Sequence, residues 1–448
     1  MAEPSTLGVV DLDPVNRVDD GARPTALLPA TQLVRISLYW LGLTAIDAAV
    51  GQYIAFQLAY TDIRGGMSIG LATTLLTIGG TVLAILIQPT MGSISDHAVT
   101  RWGRRKPFIV VGSLLDVVFL LGIANSQTLI ALGAFVMLLT FSTNIARGPF
   151  QGYVPDLVAE AQVGTASALV GMMQIFGNVA GLVLANLAAI LGNLPLALFA
   201  VAAVELVTMA SVVLGVGNGM PPKPRVGRSW LTIAAETWGT DILRERSYLW
   251  LLASRLCFLT AGGVLFAYVT VFLRDVFGMT QAEAGMTNLV LVAAVVLGNV
   301  LAILPASRIS DRIGRKPVIY AACAIGAGGA ATAALAPAVP VAILGGALFG
   351  AANGIFLAVD WALLTDIIPR ASAGRYMGLS NVATGSAPLL AAAIGGLVLD
   401  AAGTAISPAA GARVAFLVGV VLFGLAAVLL RPVVEPPRVV PVPVGAAA

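Results

Sequence analysis

Long apolar runs separated by short polar breaks dominate the chain. Twelve of them approach or exceed the roughly 20 residues a helix needs to cross a bilayer. They cover 33–60, 69–94, 107–124, 128–157, 163–191 and 194–216, then 248–276, 283–307, 317–336, 340–368, 373–399 and 411–431. The longest polar break follows the sixth run. It contains Pro221-Pro222-Lys223-Pro224-Arg225 and an amphipathic stretch near Trp230–Arg246, and reads either as a plain linker or as a short helix along the membrane surface. The pattern predicts an all-α membrane protein of twelve transmembrane helices in two six-helix bundles. Its expected divisions are an N-terminal tail (1–32), a first bundle (33–216), a central loop (217–247), a second bundle (248–431) and a proline-rich C-terminal tail (432–448).

Composition removes the soluble alternatives. Of 448 residues, 58% are hydrophobic and 10% charged, against roughly 25% charged in an ordinary soluble domain. Disordered, disulfide-stapled and nucleic-acid-binding classes are excluded. Cys257 and Cys323 lie in apolar runs and read as small hydrophobes. A single histidine, His97, leaves no His-based metal site. Gly326-Ala327-Gly328-Gly329 falls inside a span with no preceding strand, so it is no dinucleotide motif. No Walker lysine motif or HExxH motif is present, and the expectation is a non-enzyme without cofactors.

The halves repeat. Ile94-Ser95-Asp96 leads to Gly103-Arg104-Arg105-Lys106-Pro107, and Ile309-Ser310-Asp311 leads to Gly314-Arg315-Lys316-Pro317. The prolines are offset by 317 − 107 = 210, and Asp156 and Gly164 recur at the same offset as Asp366 and Gly374. Three landmarks at one offset indicate a duplicated six-helix unit. With both tails and the even-numbered loops on one side, that side holds 20 of the 25 basic residues, which predicts cytoplasmic termini.

The repeated loop carries its own chemistry. Gly92 permits close helix approach, while Asp96 and Asp156 end helices facing Arg101, Gly103, Arg104 and Arg105. Arginines bridging such carboxylates would latch one conformation and release in another. Asp311, Arg315 and Asp366 are the second-half counterparts. A positive-inside anchor explains basic residues anywhere in the loop, but not the repetition of acid, glycine and proline at matched positions.

These repeated loops resemble the signature of the major facilitator superfamily. The first-half version is more particular: Gln88-Pro89, Gly92, Ser95-Asp96 and Arg101-Trp102-Gly103-Arg104-Arg105-Lys106-Pro107-Phe108-Ile109, with Gly148-Pro149, Asp156 and Gly177-Asn178, is similar to the plant-type sucrose/proton symporters and their glycoside-pentoside-hexuronide-like relatives. The superfamily resemblance implies alternating access around a cavity lined by helices one, four, seven and ten. The subfamily resemblance implies a sugar or glycoside as small-molecule substrate. One departure counts against sucrose itself. Those symporters carry a sugar-binding arginine two residues after the Gly-Pro, where this chain has Gln151; its arginine, Arg147, precedes Gly148-Pro149.

Ionisable groups within spans are expensive and mark function by default. Asp47, Arg147 and Asp360 fall on presumptive cavity helices. Asp47 and Asp360 are proton-coupling candidates; Asp47 reads as a proton carrier or as the permanent partner of Arg147. Arg147 reads as a substrate ligand or a neutralising charge. Gln52, Tyr53, Gln57, Asn144, Gln151, Asn353 and Trp361 complete the substrate-binding candidates. Asp116 and Glu205, on the third and sixth spans, are expected to meet packed neighbours or a snorkelling route, and Arg255 to snorkel. Tyr268 reads as a packed aromatic or as a ring that stacks on a sugar face.

The expected function is a proton-coupled symporter of a sugar or glycoside, with sodium as an open alternative to the proton. A proton antiporter exporting drugs or metabolites is the second reading, and a non-transporting sensor or assembly partner the third. The expected setting is the cell membrane, multi-pass, as a monomer in contact with lipid and no nucleic acid.

Overall fold

The structure, a computed structural model, describes residues 26–96, 98, 100–217, 245–367 and 373–435. Twelve helices among the described residues are long and apolar enough to span a membrane. The first half comprises α1 (Ala30–Tyr60), α2 (Ile69–Asp96), α3 (Lys106–Ala124), α4 (Leu129–Gln151), α5 (Val163–Ile190) and α6 (Pro195–Gly215). The second comprises α7 (Arg246–Phe277), α8 (Gln281–Ile313), α9 (Arg315–Ala334), α10 (Val339–Ile367), α11 (Ala373–Ala405) and α12 (Pro408–Leu430). A short helix, Tyr153–Leu157, continues α4 past Gly152. The break between α6 and α7, with its Trp230–Arg246 stretch, lies outside the described residues apart from its ends.

Helix ends follow local chemistry. Thr128 and Ser407 accept backbone N–H bonds as N-caps, and Thr280 with Glu283 forms a reciprocal capping box that starts α8 two residues before the apolar run suggests. At its other end α8 runs to Ile313, well past the expected 307. Arg308, Asp311 and Arg312 are polar enough to end an apolar run but sit on a helix that continues beyond it. For the same reason α11 runs to Ala405. Prolines inside α2, α4, α8 and α11 are accommodated, as spanning helices permit when neighbours satisfy the freed carbonyl. Beside the α4 proline, the carbonyl of Pro149 itself also accepts from the Arg105 guanidinium at 2.7 Å.

Large apolar side chains remain exposed all around the bundle, among them Ile130, Val207, Leu214, Leu301 and Leu397. They form the lipid-facing surface a soluble fold could not keep. Within the bundle, glycines bring backbones together. A Cβ on Gly148 would strike the Gln88 carbonyl of α2, and one on Gly177 would strike the Leu41 carbonyl of α1. The halves meet where α2 packs on α11, α5 on α8 and α1 on α7.

Candidate functional site

Midway along α1, Asp47 forms an ion pair with Arg147 of α4 at 2.5 Å. The Asp47 side chain is 53% exposed and Arg147 18% exposed. A carboxylate exposed at the centre of a spanning helix requires water or a polar cavity beside it. Gly51, one turn on, is likewise exposed, with open space around its Cα.

The second half holds a counterpart with its charges reversed. Arg255 of α7 donates to Asp360 of α10, and both are buried. The expectation that Arg255 snorkels is therefore corrected: its guanidinium turns inward because Asp360 supplies a buried counter-charge. Asp360 is ion-paired in a closed environment, unlike Asp47.

Toward the end remote from the chain termini, a polar layer crosses between the halves. Gln52 donates to Thr270 Oγ1 at 3.1 Å and to Asn186 Oδ1 at 3.5 Å, while Asn288 donates to Thr270 at 3.3 Å. Gln52, Asn186 and Asn288 line a cavity of about 80 Å³ together with Phe266, Phe272 and Phe349. Sequence reading reached Gln52 but not Asn186, Thr270 or Asn288. For the two asparagines the signal is the rarity of amides in otherwise apolar spans, without any motif around them; Thr270 carries no such signal.

Other candidates are dispersed. Gln57 donates to the Tyr53 hydroxyl at 2.9 Å, and Tyr53 is buried. Asn144 is buried, donates to the Thr140 carbonyl at 2.8 Å and keeps its Oδ1 without a donor. Gln151 ends α4 in an exposed position, one helical turn after Arg147. Asn353 and Thr384 provide polar groups in a cavity of about 240 Å³ otherwise bounded by apolar residues such as Phe258, Phe266 and Phe349. Trp361 lies on α10, and its side chain is outside the described set. Tyr268 is fully buried and donates to the Ala392 carbonyl at 2.6 Å.

The expected latch forms a compact cluster in the first half. Arg104 and Arg105 each reach Asp156 at 2.6 Å, Arg105 also reaches Asp96 at 3.1 Å, and Arg104 lies 3.9 Å from Asp96. Both arginines are buried. Gly103 precedes them with φ +88°, and Gly314 takes the matching place with φ +114°, both in the region that disfavours a side chain. Gly92 lies against Gly148, where an added Cβ would come within 3.4 Å of a carbonyl. Arg101 is exposed in the turn. In the second-half loop, Arg315 stands 3.9 Å from a largely exposed Asp311. Glu435 accepts from the backbone N–H of Arg315 at 2.9 Å and of Lys316 at 3.4 Å, capping α9. The side chain of Asp366 is outside the described set.

Comparison with known proteins places this geometry in a family. The chain matches the Major Facilitator Superfamily over residues 36–296 and 280–447. It is 27% identical over 131 residues to a sucrose transport protein of rice, covering 24% of each chain. It is 30% identical over 172 residues to the general alpha-glucoside permease of Schizosaccharomyces pombe, covering 34% of this chain and 31% of the permease. A human membrane-associated transporter protein is 28% identical over 173 residues, 33% of this chain and 29% of that one. The matched segments thus span about a quarter to a third of these relatives. Among solved structures, a nucleoside transporter superimposes with TM-score 0.69 at 14% identity, covering 88% of this chain and 98% of that one. A D-xylose–proton symporter does so with TM-score 0.66 at 17% identity, covering 90% and 97%. The twelve-helix architecture and the match along nearly the whole chain mean that this protein belongs to the major facilitator superfamily of membrane transporters.

Proposed function

We propose that this transporter is a proton-coupled symporter of a sugar or glycoside, working by alternating access between its two six-helix halves. The observation that carries the reading is the half-exposed Asp47–Arg147 ion pair at the centre of the first half. A proton arriving on Asp47 neutralises the carboxylate and releases the guanidinium. Arg147 then has free N–H donors in a planar fork suited to hydroxyl oxygens. Proton and substrate occupancy are linked because both act on one arginine. The likeness to a sucrose transport protein and an alpha-glucoside permease supports the substrate class.

In this reading the termini and the Asp96–Arg104–Arg105–Asp156 cluster face the cytoplasm, the protein acts as a monomer in the cell membrane, and residues 217–247 connect the halves. Asp360, held by Arg255, serves the second half as a fixed ion pair rather than as the carrier. The test is uptake of labelled mono- and disaccharides into proteoliposomes with and without an inside-alkaline pH gradient. Gradient-driven accumulation is expected. Absence of sugar uptake by folded protein would sink the sugar assignment.

One observation favours a second reading, an exporter of apolar compounds by proton antiport. The cavity of about 240 Å³ beside Phe258, Phe266 and Phe349 offers few polar groups besides Asn353 and Thr384. Proton-gradient-driven efflux of an apolar dye, without sugar uptake, would support it.

A further inference from the structure

Behind the Asp47–Arg147 pair lie two more carboxyl groups with an unusual set of partners. Asp116 of α3 and Glu205 of α6 are each fully buried. They face packed neighbours, and among those neighbours is each other, within hydrogen-bonding reach. One oxygen of each is served by hydroxyl groups. Thr143 donates to Asp116 Oδ1 at 3.0 Å and Ser142 donates to the same oxygen. Tyr39 donates to Glu205 Oε1 at 3.2 Å and is itself 2.5 Å from Ser113 Oγ. The other two oxygens, Asp116 Oδ2 and Glu205 Oε2, are buried and receive no donor among the described residues.

Charge balance narrows the possibilities. Neither carboxyl has a lysine or arginine within ion-pair distance among the described residues. The titratable groups facing the pair are Tyr39 on α1 and Arg147 on α4, whose charge reaches Asp116 through space; Asp47 meets Arg147. Two carboxylates in contact inside a low-dielectric bundle cannot both stay ionised. A single proton placed between them removes one charge and gives both orphaned oxygens a hydrogen bond at once.

We propose that Asp116 and Glu205 form a proton-sharing dyad, a second proton-binding site of the first half, linked to Asp47 through Arg147. The dyad holds one proton between Oδ2 and Oε2 and carries one negative charge. Arg147 is then the common counter-charge of two acidic centres, Asp47 in front and the dyad behind. When Asp47 is neutral, the whole guanidinium charge is available to the dyad, which binds its proton less tightly. The dyad stands apart from the substrate assignment. Its link to Asp47 rests on the coupling role given to that residue above.

The test is infrared difference spectroscopy of the purified, substrate-free protein during a pH titration in H₂O and D₂O. A buried protonated carboxyl gives a C=O band sensitive to isotope exchange. Wild type is expected to show such a band persisting through neutral pH. Asp116→Asn and Glu205→Gln should each abolish it, because the amide N–H then serves the oxygen opposite and no proton is needed. The two near-isosteric variants are independent, so either one that elutes as folded, monodisperse protein suffices. Asp47→Asn should keep the band while shifting the pH at which it disappears, because Arg147 then serves the dyad alone. A band that survives Asp116→Asn or Glu205→Gln in folded protein overturns the dyad. An unchanged midpoint in Asp47→Asn overturns the link through Arg147. Gradient-driven uptake by Asp47→Asn would instead fault the coupling role of Asp47 and leave the dyad spectra to be read alone.

Discussion

Asp47 and Arg147 make the sharpest demand on single residues. If protonation of Asp47 releases Arg147, uptake by wild type should rise as pH falls on the loading side, because the neutral carboxyl is the releasing form. Asp47→Asn mimics that form permanently. It is expected to abolish accumulation driven by a pH gradient and to flatten the pH profile, while substrate exchange across the membrane persists. Arg147→Lys keeps the charge but loses the planar fork, so it should weaken substrate binding and spare the pH response. Initial rates against pH and substrate concentration separate the two. At this scale the sequence was informative wherever a charge stood in an apolar run: Asp47 and Arg147 were singled out and are in contact. Partnerships were less legible. Arg255 meets Asp360, and Asp116 meets Glu205, across distances in sequence of about ninety to a hundred residues, and no local pattern encodes which helix faces rotate together.

Helices and their contacts set the next level. The first-half cluster depends on a glycine as much as on its charges. Gly152, between α4 and the short helix after it, leaves room for the Arg105 guanidinium, which a Cβ would overlap. Gly152→Ala is therefore expected to reproduce the effect of Arg105→Ala on transport rate although every charge is kept; wild-type rates in Gly152→Ala would show that Arg105 finds another route to Asp156. Packing glycines test stability separately. Gly177→Ala forces α1 and α5 apart and should cost about 1–3 kcal/mol, the usual range for over-packing, visible as a lower apparent melting temperature in detergent. The apolar runs located all twelve helices because a bilayer demands one long apolar stretch for each crossing. They misplaced the ends of α8 and α11, where polar residues continue a helix past its apolar stretch. The duplication was legible too, yet the two copies have diverged. Residues 47 and 147 fall, at the offset of 210, on 257 and 357, close to Arg255 and Asp360. The acid stands on α1 in one half and the base on α7 in the other, so the same helix pairing is kept with its polarity exchanged.

Across the whole molecule, the described bonds between halves gather at the end remote from the termini. Tyr60 donates to the Met279 carbonyl at 3.0 Å, Arg274 donates to the Ala59 carbonyl, and Gln281 donates to the Ala189 carbonyl at 3.3 Å. The densest junction is Asp400 of α11, which accepts from Ser68 Oγ at 2.6 Å and from the backbone N–H groups of Gly70 at 3.0 Å and Leu71 at 3.1 Å. A carboxylate from one half thus caps the N-terminus of a helix in the other, where the helix dipole favours negative charge. Gly70 and Gly396 lie against each other there and let the backbones close. At the opposite end, the arginine cluster binds α2, α3 and α4 within one half. This conformation is therefore held shut at the remote end, and the transport cycle must break the Asp400 cap to open it. Hydrogen bonds to a charged group contribute about 1.5–3 kcal/mol each, and 1.4 kcal/mol corresponds to tenfold in an equilibrium. Loss of this cap in Asp400→Ala should raise the population open at the remote end by at least about tenfold, given those magnitudes. The readout is Gly51→Cys with Cys257→Ser and Cys323→Ser, since Gly51 is exposed and has space for a side chain. A membrane-impermeant maleimide applied from the remote side should label it faster by a similar factor when Asp400 is removed. Equal labelling rates would mean that apolar packing of α2 on α11 holds that end closed, with the Asp400 cap contributing little.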